Sequence, residues 1–146
     1  MTDVAIGAFT AAVAFLLLGL LGVAEDRMAV AAWPALWVGL VASMLAGFTG
    51  FLDWLKLAKG SPEKRTATFH MIVVLVAVGL FIAAEVLAKP GFDDGEIVTS
   101  SAILAFVAYG VLAIGGWLGG SLVFEHGVRV ESRPETPASP TANPDR

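Results

Sequence analysis

His70 and His126 are the two histidines of this 146-residue chain, and each lies at the edge of a long apolar run. Imidazoles facing each other across a helix bundle can serve as the axial ligands of a b-type haem or as nitrogen donors to a metal. Asp53 ends another apolar run, within the stretch GFTGFLDWLKLAKGSPEKRTATFH at 47–70, which also carries Trp54, His70 and four of the nine cations. A carboxylate in that position could accept the second ring N–H of a ligating His70, the contact that fixes an imidazole's orientation. Asp3 and Glu125 add two more ionisable groups at the edges of apolar runs. The chain has no cysteine, which excludes disulfides, thiolate chemistry and iron–sulfur ligation. It shows no Gly-rich phosphate loop, no HExxH pair and no Ser/His/Asp arrangement, so no catalytic residue is assigned and the reading leans away from an enzyme.

These residues have to be positioned by membrane-spanning helices. The chain is 57% hydrophobic and 15% charged, with mean hydropathy +0.79, whereas soluble domains average about 45–50% apolar and about 25% charged. A bilayer core needs roughly 20 helical residues per crossing. Four apolar runs meet that length, at about 4–24, 34–57, 66–88 and 98–128. The expected fold is all-α, an integral membrane four-helix bundle over 1–130, followed by a disordered polar tail at 131–146, ESRPETPASPTANPDR. The small net charge of −4 gives no footprint for nucleic acid.

Helical phase gives each run a face. Pro34 suits a first helical turn, and Trp33, Trp37 and Trp54 mark the two interfaces of the second span. Reading back from Asp53 in steps of four and three gives Thr49, Ala46, Ala42 and Gly39, a small-residue stripe of the kind that faces a neighbouring helix. Gly115 with Gly119, and Gly116 with Gly120, form two overlapping GxxxG pairs. His126 continues the Gly115/Gly119 face, which would leave a flat macrocycle room beside it. Glu85 and Lys89, four residues apart in the favourable order, read as an interfacial ion pair. The segment PGFDDGEI at 90–97 reads as an acidic turn.

Cations decide the orientation. The 56–65 connection holds Lys56, Lys59, Lys64 and Arg65, and the C-terminal segment holds three more, against Arg27 and Lys89 in the other two connections. Both termini are therefore expected in the cytoplasm of a bacterial cell, with the inner membrane spanned. Asp3, Asp53, His70, Glu125 and His126 then fall at the cytoplasmic ends of their helices.

The segments TDVAIGAFTAA, AGFTGFLDWLKL, RTATFH and GGWLGGSLVFEHGVRV, in this order, resemble a bacterial four-helix membrane family known as domain of unknown function 2231. The resemblance covers about 2–130. Family members often carry a GHPLHP-like segment before the first helix, and here the chain starts at Met1-Thr2-Asp3, with Ala5 where the family usually has proline. Some relatives are fused to, or encoded with, Rieske or cytochrome domains, so the resemblance implies a respiratory or redox neighbourhood. It maps functional weight onto Asp53, Trp54 and His70, with His126 as a further candidate.

Three readings follow. In the first the chain is a structural or partner-docking membrane subunit whose inner polar ring satisfies itself by hydrogen bonds. In the second, haem b or a metal is held by His70 and His126 with support from Asp53. In the third, a homo-oligomer forms a path for protons or a small solute through Asp53, His70 and Glu125.

Overall fold

The computed structural model describes residues 2–124, and these form four helices. They are α1 (Thr2–Leu20), α2 (Glu25–Lys56), α3 (Pro62–Asp94) and α4 (Thr99–Phe124). All four are long and apolar enough to cross a membrane. Helix is the required state for such segments, because lipid offers no partner to an unpaired backbone N–H or C=O. The tail expected at 131–146 lies outside the described residues.

Local chemistry sets the ends of α3. Ser61 accepts a hydrogen bond on its side-chain oxygen from the Lys64 backbone N–H at 3.1 Å, and Pro62 follows at the first helical position. At the other end Gly95 takes the left-handed conformation, φ 70°, that stops a helix. The α1–α2 turn uses Gly22 at φ 82° and Ala24 at φ 43°. Both interior prolines depart from the sequence expectation. Pro34 does not open a helix, since α2 begins at Glu25, and Pro90 does not start a turn, since α3 runs on to Asp94. Each removes one N–H from its ladder, a loss that helices packed in lipid tolerate.

Packing runs in hairpins: α1 lies along α2, α3 along α4, and α2 against α3 joins the two pairs, with α1 against α4 the least extensive of the four neighbouring pairs. The interior is built from small residues, among them Ala12, Ala32, Ala84, Ala105 and Ala108, with Leu36, Phe9 and Phe81 fully buried. Large apolar side chains such as Val41, Leu75, Val76, Ile103 and Val107 point outward. This small-inside, large-outside pattern is what a bundle needs when its solvent is lipid. The Phe9 and Phe81 rings stack at 3.9 Å and 3° at the centre. Gly39 makes that possible, because a Cβ there would lie 2.6 Å from the Phe9 ring.

Candidate functional site

The end of the bundle that carries the α2–α3 connection holds most of the residues singled out from sequence. Trp54 donates its indole N–H to Thr68 Oγ1 at 2.9 Å, and Thr68 donates to the Lys64 carbonyl at 2.7 Å. Lys64 Nζ lies 4.3 Å from the Trp54 ring centroid and donates to the Leu57 carbonyl at 3.1 Å. Asp53, half-buried, accepts from Lys56 Nζ at 3.3 Å. Beside them Lys59, Gly60, Ser61, Lys64, Arg65 and Thr68 line a shallow concavity of about 420 Å³.

His70 turns away from this knot toward α4. A carbonyl can only accept, so Nδ1 carries the proton and donates to the Gly115 carbonyl at 2.8 Å. The ring lies across Gly119, where a Cβ would stand 3.0 Å from Cε1 and 3.3 Å from Nδ1. Gly115 in turn faces Val74, whose Cγ2 would be 3.0 Å from its Cβ. The room expected on this face for a macrocycle is therefore taken by Val74 and by the imidazole itself, and a haem does not fit there as the helices are packed. The contact expected between the His70 N–H and Asp53 is, for Nδ1, replaced by the Gly115 carbonyl. The second glycine pair behaves differently: Gly116 and Gly120 have nothing within 4 Å of a built Cβ.

Other expectations separate in space. Phe9 faces Gly39, so on the antiparallel α1, Asp3 comes level with about residue 45 of α2. Asp53 lies some eight residues further on, about 12 Å at 1.5 Å per residue. Asp3 is thus not brought to Asp53. Glu125 and His126 lie outside the described residues. Among the described residues no group of three or more His, Cys, Asp or Glu is arranged to hold a metal ion.

The polar residue that sequence reasoning undervalued is Glu85. The expected Glu85–Lys89 pair does not form, because Lys89 Nζ reaches forward to Asp93 at 2.5 Å. Glu85 is enclosed among the helices, 4% exposed, and neither carboxylate oxygen has a partner in ordinary hydrogen-bond geometry. Trp37 of α2 is the polar side chain that bears on it, and Trp33, one turn away, also has a buried Nε1 without a partner. Trp33 stacks on Phe92 at 4.5 Å and meets Trp37 edge-on at 6.0 Å. A signal was available in the sequence: Ala77, Phe81 and Glu85 recur at four-residue steps, and all are buried.

No curated protein and no solved structure matches the chain. A family model does, over residues 2–132, which takes in all four spans. The chain belongs to the family described as "Predicted membrane protein (DUF2231)".

Proposed function

We propose that this protein is a structural membrane subunit that docks a partner through its cationic α2–α3 end. The observation that carries the reading is how the polar residues there are used. Trp54, Thr68, Lys64 and His70 are committed to bonds that hold the bundle together, and Asp53 is engaged with Lys56. Such a self-satisfied ring serves assembly rather than turnover. Lys59 and Arg65 line the neighbouring concavity and present positive charge to an acidic surface.

The proposed setting is the bacterial inner membrane with both termini in the cytoplasm. Support comes from the bias of Lys56, Lys59, Lys64 and Arg65 toward one end, against Arg27 and Lys89 at the other. The resemblance implies a respiratory or redox neighbourhood, so Rieske and cytochrome proteins are the partners proposed here. Tagged protein extracted in a mild detergent should co-migrate on native gels with a haem-staining or Rieske-containing assembly. Lys59→Glu with Arg65→Glu should release it while the isolated chain stays folded. Migration of the wild type solely as a free chain or a homo-oligomer overturns the docking role.

The haem or metal reading keeps one observation in its favour: the Nδ1–H bond to Gly115 orients the imidazole as ligating histidines are oriented, with Nε2 as the remaining nitrogen. It requires the ring to swing off Gly119. A reduced-minus-oxidised spectrum of b type, lost in His70→Ala, would support it, and a colourless preparation from haem-replete cells would end it.

A further inference from the structure

We propose that Glu85 is a proton-exchanging site, which binds and releases a proton inside the bundle and communicates with water at the end that carries the Lys89–Asp93 pair. This goes beyond the structural role proposed above and rests on different residues. Glu85 is 4% exposed and both of its oxygens lack a hydrogen-bond partner. A carboxyl group buried for structure alone is normally tied down, as an acid donating to a carbonyl or as an anion receiving donors. Glu85 has neither arrangement in full: the Trp37 side chain is the one donor that approaches it, and it falls outside ordinary hydrogen-bond geometry. The adjacent Ala84 carbonyl is already occupied by Ser101 Oγ at 2.8 Å. The groups nearest in kind are indoles, Trp37 bearing on the carboxyl and Trp33 with its own buried, unpartnered N–H. The fold therefore holds neither charge state firmly, which suits a group that changes state.

The surroundings select a proton over a larger ligand. On α3 the nearest charges are Lys89 and Asp93, one and two turns outward and paired with each other. α2 presents Trp33 and Trp37 and has no ionisable residue between Arg27 and Asp53. α4 presents Ser101 and has none between Glu96 and Tyr109, and α1 has none between Asp3 and Leu20. No second carboxylate or imidazole stands by to complete a metal site among the described residues. Toward the other end the Phe9–Phe81 stack closes the centre. Toward the near end, Lys89 and Asp93 are exposed, about 6 and 12 Å along the helix axis.

The test is an infrared difference spectrum of the purified full-length protein between acid and alkaline buffers. Of the carboxylic-acid carbonyl bands that disappear on raising the pH and return on lowering it, one should be missing in Glu85→Gln. A carbonyl band lost in Glu85→Gln that stays constant in the wild type across every pH at which the protein remains folded marks a permanently neutral acid and overturns the proposal, as does a set of titrating bands identical in wild type and Glu85→Gln. Should Glu85→Gln fail to fold, the wild type decides. A hydrophobic carbodiimide, which adds a carboxylic O–H across its C=N bond, should modify Glu85 more slowly as pH rises. Absence of label on Glu85 at any pH, or a rate independent of pH, overturns it.

Discussion

Lys89 lies one turn beyond Glu85 on α3, yet its ammonium bonds to Asp93, one turn further out. The two acids therefore live in different worlds, one paired at the surface and one enclosed among helices. Both Lys89 and Asp93 are more than half exposed, and exposed pairs contribute about 0–1 kcal/mol. Lys89→Ala and Asp93→Asn are each expected to change unfolding stability in detergent by less than about 1 kcal/mol. Loss of the about 3–5 kcal/mol typical of a broken buried pair in Lys89→Ala would mean that Lys89 serves Glu85 after all.

Glycines packed against a neighbouring side chain and glycines that face open space should answer differently to a methyl group. Gly119→Ala presses on the His70 ring at 3.0 Å, and Gly39→Ala presses on Phe9 at 2.6 Å. Phe9 cannot retreat, because Phe81 is stacked against it. Gly39→Ala should cost about 1–3 kcal/mol, the usual range for overpacking, and Gly119→Ala less, since the His70 ring need give only a few tenths of an ångström. Gly116→Ala and Gly120→Ala meet nothing and should be neutral or mildly stabilising. Thermal melts of the four variants check this, and equal effects at Gly116 and Gly119 would contradict the packing.

Ala24 holds a left-handed backbone at φ 43°, a conformation that costs an L-residue roughly 1–2 kcal/mol. Ala24→Gly should raise stability by about 1 kcal/mol. A melt that falls instead would show that the turn is not strained at this position.

Thr68 accepts the Trp54 indole N–H and donates to the Lys64 carbonyl. Thr68→Val keeps the shape and leaves the indole unpaired, which should cost about 1–3 kcal/mol. Trp54→Phe in the Thr68→Val background should then cost little more through this bond, since the partner is already gone. Additive losses in a double-mutant cycle would remove the coupling.

Orientation can be read with reporters placed at two helix ends. A reporter inserted at Gly60, between α2 and α3, should be active in its cytoplasm-dependent form, and one at Gly95, after α3, in its periplasm-dependent form. Reversed activities would overturn the inside assignment drawn from the cations.

The four spans were legible because lipid removes most alternatives: a long apolar run must be helical. Their ends were less so. Pro34 and Pro90 read locally as a start and a turn, but α2 and α3 run through both. Neighbouring helices and a lipid solvent outweigh the local cost there. Gly115 and Gly119 were legible as a close-packing face, though not what would fill it, since a period of four places a residue on a face without saying which side chain arrives from across. Glu85 was misread for a related reason. The i, i+4 spacing to Lys89 is satisfied, but Lys89 had two acids within reach and took the one nearer water, where its charge keeps hydration. The buried stripe Ala77, Phe81, Glu85 held the better clue. Asp3 illustrates a limit of phase arguments, which set direction around a helix but not height along its neighbour. That height came from Phe9 against Gly39.

Thr10 and Tyr109 bond to each other at 2.9 Å between α1 and α4, the least extensive of the four neighbouring helix pairs. In mechanical language the molecule is a folded sheet of four slats, with α2 and α3 as the spine and α1 and α4 as the free leaves. The Thr10–Tyr109 bond is a clasp across the open side. The seam between the leaves is thus held by one polar bond near the surface, in contrast to the stacked rings that join α1 to α3 at the centre.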